Sequence, residues 1–524
     1  MRRKSKLCLG SPRMSNEAEK RIVQSRETLD LAGDLDVEAR ARGSRTLLDE
    51  DGAYMNEEEK TVSLPATLAD DDPESPRNWS TTYKVLVDTI LCIWVLTLTY
   101  SSTSYVASID ALMQRYNISQ EVALTGVTFS VFGWVAGPLT WGPASELYGR
   151  QVVYRVCALG YSAFSFGMAY APNAASLLIF RFLVGFFGSA SINNCPASIG
   201  DFTFPKQRLR YTTLYAIMAF GGPALGPLIS NFIQSEAGYK WNLLVTAIFS
   251  TALSIGVALV PETHGPTLLR WREARTSPKT ASESIPLAAQ LQAFRTALAR
   301  PTIYIFTEPV VSLICVYLST LYGVLYCFFE AFSVVYRDIR GFTANQYGLS
   351  YISLGLGFCV ASVLLWSLGQ KLYERSAQKD IARGRPVRPE ARLALGYYGA
   401  IISPLSLFLF AWTAPFPRIH WIVPMIGEFF FSCSMLLIFT GFVPFLIDCY
   451  NLTAASALAA GMATRALVGS VFPLFALQMY HRLTVQGATS LLAGLSCILA
   501  PIPFIFLRYG DQMRARSRYM QLVK

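Results

Sequence analysis

The strongest constraint on this 524-residue chain is a succession of apolar runs longer than any soluble core requires. A window of about 19 residues, moved along from residue 84, finds twelve of them. They lie near 85–108, 121–141, 152–171, 174–199, 211–234, 241–260, 309–335, 345–369, 393–413, 419–446, 454–480 and 487–508. Each is long enough to cross a bilayer as a helix. Helices are the physical choice, because backbone polar groups in hydrocarbon must find partners within their own segment. The short alternating segments of a membrane β-barrel are missing. Only 15% of residues are charged, against about 25% in soluble proteins. The expected fold is therefore an all-α polytopic membrane protein with twelve transmembrane helices.

Charge follows the same division. The net charge is +10, but residues 1–84 hold 14 basic and 17 acidic side chains, leaving +13 on the rest. Residues 1–83 carry too little apolar surface to offset chain entropy and are expected to form a disordered tail. If that tail is cytoplasmic, about 23 basic residues fall on inner loops and about six (Arg115, Lys240, Arg337, Arg340, Arg418, Arg482) on outer ones. Such an imbalance orients a membrane protein and places both termini inside. The basicity thus reads as a topology signal, and nucleic acid is not an expected partner. The longest internal gap, 261–303, separates a half at 84–260 from a half at 304–510, with a tail at 511–524. Two six-helix halves suit a transporter built from repeats. In the gap Leu287, Leu291, Phe294 and Leu298 recur at helical spacing, fitting either a helix on the inner leaflet or packing against the bundle.

Between the second and third runs stands Gly142-Pro-Ala-Ser-Glu146-Leu-Tyr-Gly149-Arg150-Gln151. Gly149 permits a tight turn, Gly142 a close backbone approach, and Glu146 lies one helical turn from Arg150, suiting a charged latch. The fifth run holds Gly221-Gly222-Pro223-Ala-Leu-Gly226-Pro227, whose prolines remove hydrogen bonds and whose glycines allow close packing. Arg181 and Arg465 sit inside apolar runs four and eleven, where a charge is costly unless paired. Candidate acids for pairing or proton coupling are Glu428, ranked first for its depth in run ten, then Glu330 and Asp88, both of which also fit the membrane interface. Glu308 before Pro309 reads as a helix cap. The aromatic clusters Phe129/Phe132/Trp134, Phe328/Phe329/Phe332 and Phe429/Phe430/Phe431 could line a cavity for flat apolar compounds, although such residues more often face lipid or sit in interfacial belts.

Together these motifs resemble those of the major facilitator superfamily. The Asn78-Trp-Ser, Pro261-Glu-Thr and Pro389-Glu-Ala-Arg-Leu segments, the run from Arg300 to Phe332 and the Ser456–Phe475 stretch are similar to the fungal twelve-span drug:proton antiporters. The resemblance covers roughly residues 73–510. It implies that Glu146 and Arg150 gate the inward face, although Gln151 replaces the usual second basic residue. It also implies that Arg181 takes part in proton transfer and that Gly222, Pro223, Gly226 and Pro227 form the antiporter motif, with Ser230-Asn231 replacing its trailing glycines.

The expected activity is proton-coupled efflux of small, partly hydrophobic molecules by alternating access. An importer on the same fold is the second reading, because Pro261-Glu-Thr-His-Gly faintly echoes a sugar-porter signature. A polytopic membrane enzyme is third. No Gly-Lys dipeptide, Cys-x-x-Cys pair or Gly-x-Ser-x-Gly elbow occurs, and the three histidines are scattered. No catalytic residue, cofactor or metal is therefore expected. The expected partners are a small-molecule substrate, protons and the bilayer, with the chain monomeric in the plasma membrane or, failing that, the vacuolar membrane. Asn117-Ile-Ser is an N-glycosylation sequon on the outer side.

Overall fold

The computed structural model describes residues 72–276, 287–385, 387–450 and 454–517. The expected N-terminal tail, apart from its last residues, therefore lies outside the described residues. So do the side chains of Leu287, Leu291 and Phe294 and the final seven residues.

Ten long apolar helical stretches make up the bundle: Thr81–Tyr116, Gln120–Tyr148, Arg150–Ala169, Ala174–Phe202, Arg210–Ala258, Pro309–Ile339, Ala344–Ala382, Pro389–Thr413, Ile422–Tyr450 and Ala457–Ala515. Two of them are double. Gly238 (φ 80°, ψ 173°) interrupts the fifth, and Thr484 (φ 61°, ψ 167°) the last. Beyond Gly238 the chain doubles back, because Gly226 packs on Thr103 and Gln234 meets Ser108, whereas Asn242 returns to Ser104 and Gly256 lies over Ile90. Only glycine adopts the Gly238 conformation without strain. The ten stretches thus make twelve spans, with the fifth and sixth before and after Gly238 and the eleventh and twelfth before and after Thr484.

The two halves repeat one packing scheme. In the first, Gly222 and Gly226 of span five lie against Thr99 and Thr103 of span one. In the second, Gly323 of span seven lies against Val468 and Phe472 of span eleven, and Gly469 against Tyr322. Large apolar side chains such as Phe306, Leu259, Leu159 and Ile498 stay exposed, more than three-quarters so for the first two. A soluble surface does not carry so much apolar area, and these residues face lipid. Short helices at Gly265–Thr276 and Leu287–Thr307 bridge the halves in sequence, so the 261–303 region is largely helical outside its undescribed residues.

Candidate functional site

One end of the bundle is organised by Gly149. Its φ of 99° belongs to backbone that L side chains rarely adopt, and an added Cβ would overlap Glu262. The turn presents the first N–H groups of the Arg150–Ala169 helix to the Glu262 carboxylate, which accepts from Arg150 N (2.9 Å) and Gln151 N (3.1 Å). Glu262 also accepts from Thr263 N (3.0 Å) and His264 N (2.8 Å). A carboxylate at a helix N-terminus satisfies orphan donors and complements the helix dipole. The Arg150 guanidinium bonds Ser145 and pairs with Asp201 at 3.4 Å. The expected Glu146–Arg150 latch is therefore corrected. Asp201, carried in by span four, makes the direct ion pair with the buried guanidinium, while Glu146, exposed in the last turn of its helix, acts on Arg150 through its charge alone. Gly142 faces the side-chain amide of Asn193 rather than a neighbouring backbone. Gln151 stands in place of a base by donating to Val260 O at 3.0 Å.

His264 adjoins this cluster, with Nδ1 2.9 Å from Thr267 Oγ1. Burial, then the charges of Arg150 and Arg270, push its pKa down from 6.5 to about 3. A folded-state value below the unfolded one contributes stability that is present above pH 6.5 and lost as pH falls toward 3. His264→Gln is expected to flatten that part of the thermal-stability profile. Superimposable profiles for the two proteins would contradict it.

Arg181 is fully buried and donates to three carbonyls: Gly126 O (2.9 Å), Ser101 O (2.9 Å) and Ser102 O (3.0 Å). Its guanidinium also covers the Tyr105 ring at 4.4 Å. The expectation of a carboxylate partner is corrected here. The first span changes from α to 3₁₀ at Tyr105, which frees the Ser101 and Ser102 carbonyls from regular helical bonding. Backbone dipoles and an aromatic face then replace an acid.

The span-five motif is a contact surface. Helical φ/ψ persists through Pro223 and Pro227, and the Pro227 carbonyl accepts from Asn231 Nδ2 at 2.6 Å. A Cβ at Gly222 would overlap Thr99 Oγ1 and approach Tyr100 N to 2.8 Å. Gly222→Val is expected to destabilise the protein by roughly 1–3 kcal/mol through overpacking, read as a lowered thermal midpoint in detergent. An unchanged midpoint would show that the two helices separate at no cost.

The three candidate acids are all buried. Glu428 is 0% exposed and accepts from Tyr336 (2.7 Å) and from Ser353. Tyr336 reaches it because span seven widens into a π-helical turn at Ser333–Ile339. Glu330 and Asp88, which also fit the membrane interface in sequence, are both covered by neighbouring helices. Span seven runs on past Glu330 to Ile339, and neighbouring helices cover the carboxyl group. Asp88 is covered likewise and accepts from the Cys92 thiol at 3.6 Å. Neither is brought to Arg181 or Arg465. Glu308 does precede the Pro309 helix, but its side chain accepts from Tyr450 (2.9 Å) and Ser517 (2.7 Å) instead of capping. Asn117 is exposed in left-handed backbone (φ 51°) at the other end of the bundle from Gly149.

Midway between the halves lie two adjoining cavities that share Ile192, Tyr322 and Arg465. One is completed by Trp134, Ser189 and Met462, the other by Thr99, Phe220 and Phe439, so both halves contribute walls. Each has room for little more than one water molecule, so the passage is closed here. Of the three aromatic clusters, Trp134 alone lines either of these two cavities. Phe129, Phe132 and Phe430 are exposed on the outside, and Phe328, Phe332 and Phe431 fill the core. Three hydrogen bonds join the halves at the Asn117 end: Asp110–Arg337 (3.1 Å), Glu121–Gln478 (3.1 Å) and Ser235–Asn345 (3.2 Å). At the Gly149 end the ion pairs Arg150–Asp201 and Arg392–Asp448 stay within one half.

Two pseudo-repeated six-helix halves around a central, closable cavity define a membrane transporter of the alternating-access class rather than an enzyme. The chain belongs to the Major Facilitator Superfamily, whose sequence profile matches residues 89–501. It is 38% identical over 449 residues to the efflux pump FUBT of Fusarium oxysporum, covering 84% of this chain and 74% of that one. Similarity extends to the MFS-type efflux pump MFS2 of Trichophyton rubrum (38% identical, 86% and 76% covered). The multidrug transporter mdrA of Aspergillus fumigatus is 35% identical, with 86% and 75% covered. In fold the chain matches the proton:xylose symporter XylE with a TM-score of 0.60 at 15% identity, over 82% of this chain and 96% of that one.

Proposed function

We propose that this protein is a proton-coupled efflux transporter that exports small, partly hydrophobic molecules such as drugs, toxins or secondary metabolites. The observation that carries the reading is its likeness, over more than four-fifths of its length, to proteins named efflux pumps. The cavity chemistry agrees, since aromatic and aliphatic walls suit apolar cargo. Glu428 is assigned the exchangeable proton. As a carboxylate it accepts from both hydroxyls; once protonated it must donate, and one hydroxyl must turn.

In this reading the Gly149 end is cytoplasmic and the Asn117 end faces outward, with both termini inside. The contacts of Asp110, Glu121 and Ser235 then close the outer side, and export requires them to part while the cytoplasmic side closes. The protein works as a monomer in the plasma membrane. Asn117→Gln checks the orientation, because loss of a glycan-dependent mobility shift is expected only if that end reaches the secretory lumen.

Transport itself is tested by comparing metabolites inside and outside cells with and without the gene, then by following the retained compound in inside-out vesicles. Its accumulation is expected to stop when the pH gradient is dissipated. Gradient-independent movement would sink the antiport mechanism, and reduced uptake of a nutrient in the deletion strain would favour an importer.

A further inference from the structure

The two intramembrane arginines are solvated in opposite ways. Arg181 has three carbonyl acceptors and an aromatic face. Arg465 has rings on its faces, Phe439 at 4.6 Å and Tyr322 at 5.6 Å, and bonds the Met462 sulfur, a weak acceptor. Among the described residues no carboxylate pairs with it. Asp88, Glu330 and Glu428 are absent from the walls of both cavities, although Arg465 lines each of them. A guanidinium offers five N–H donors, so most of this one's capacity is unspent by strong acceptors. A second donor sits in the same wall. Trp134 is 3% exposed, and its Nε1 has no hydrogen-bond partner among the described residues. The Tyr322 hydroxyl is a further polar group in both walls, whereas Ser189 donates to Phe186 O, Thr99 to Val95 O and Tyr215 to Ile192 O.

We infer that the cavity is built for an organic anion, an apolar or aromatic carboxylate whose charged group bonds Arg465 and Trp134 and whose ring packs on Tyr322, Phe439 and Phe220. The inference rests on reading this cavity as the transport site, and it adds the sign of the cargo's charge. The physical reason is an imbalance. A guanidinium taken out of water must recover its hydration from acceptors, and a carboxylate supplies two oxygens in the geometry that its planar fork matches. Aromatic walls supply area and cation–π compensation while the site is empty, without competing for the N–H donors. A cationic cargo would meet the same guanidinium as a repulsive charge, with no acid in the wall to offset it. Because the walls come from both halves, the cavity widens to accept a ring as the halves separate.

The test is equilibrium dialysis of naphthoate, naphthamide and naphthylmethylammonium against the full chain in lipid nanodiscs. Naphthoate is expected to bind about tenfold or more tighter than the isosteric amide, and the ammonium most weakly. Arg465→Gln is expected to erase the preference of carboxylate over amide, and Arg465→Lys to keep part of it. Trp134→Phe retains the ring, removes the N–H and is expected to weaken only the carboxylate. If Arg465→Gln fails to fold, the wild-type series and Trp134→Phe still decide. Amide or ammonium binding as tightly as the carboxylate would overturn the inference. So would no naphthoate binding at millimolar concentration, or an unchanged preference in Arg465→Gln. The assay contains no gradient, so failure of the efflux reading, seen as gradient-independent flux in vesicles, is scored separately from failure of the charge preference.

Discussion

Glu428→Gln is expected to reduce gradient-driven transport to the level of vesicles with no gradient, while leaving cargo exchange at equilibrium intact. Glutamine keeps the shape of the side chain and still offers an oxygen and an N–H to Tyr336 and Ser353. The cost to stability is therefore small, about 1 kcal/mol or less. What it removes is the proton. Glu428 is fully buried, the hydroxyls of Tyr336 and Ser353 bond its two oxygens, and Arg340 is the nearby charge acting on it. Glu428→Asp, which shortens the reach to Tyr336, is expected to retain part of the driven flux. Wild-type accumulation by Glu428→Gln would remove Glu428 from the coupling mechanism and pass the role to Asp88 or Glu330, the other buried acids.

Glu262→Ala is expected to be the most damaging change at the Gly149 end, and far worse than Glu146→Ala. Removing the Glu262 carboxylate strips an acceptor from the N–H groups of Arg150, Gln151, Thr263 and His264 at once. Buried donors left without partners cost about 1–3 kcal/mol each, so a total loss of roughly 3 kcal/mol or more is expected. The same change releases the loop that positions Asp201 against Arg150 through Thr263, whose Oγ1 lies 3.3 Å from Asp201. Glu146 is exposed, and truncating it should fall within about 0.5 kcal/mol of wild type, as surface substitutions usually do. Thermal midpoints in detergent and vesicle transport measure both. Equal losses for the two variants would restore Glu146 as the partner of Arg150.

The spans were legible in the sequence because a membrane-crossing helix is a local object. Its length is set by bilayer thickness and its backbone bonds close within the segment. The site was only partly legible. The motif residues Gly142, Gly149 and Arg150 were found because they are contiguous, yet their partners Asp201 and Glu262 lie 51 and 112 residues away from Arg150. Pro261-Glu-Thr was visible as a segment, but nothing in its composition says that the acid caps a helix begun so much earlier. Tyr336 and Ser353 were missed as partners of Glu428 because a π-helical turn and a neighbouring span bring them in across 92 and 75 residues. The aromatic runs misled for the opposite reason. Adjacent residues on a helix point in different directions, so a cluster in sequence is spread between lipid, core and cavity.

The sequence by itself determined that the backbone is helical, roughly where each span begins and ends, and that two arginines must be accommodated in hydrocarbon. It could not say how. Tertiary structure decided that Arg181 is satisfied by carbonyls freed at a 3₁₀ turn, while Arg465 keeps most of its donors for the cavity between the halves. The reason is that solvation of a buried charge belongs to its three-dimensional surroundings. Two arginines in equally apolar runs end in different surroundings, carbonyl oxygens for Arg181 and rings with a thioether for Arg465, according to which chain atoms packing brings within reach.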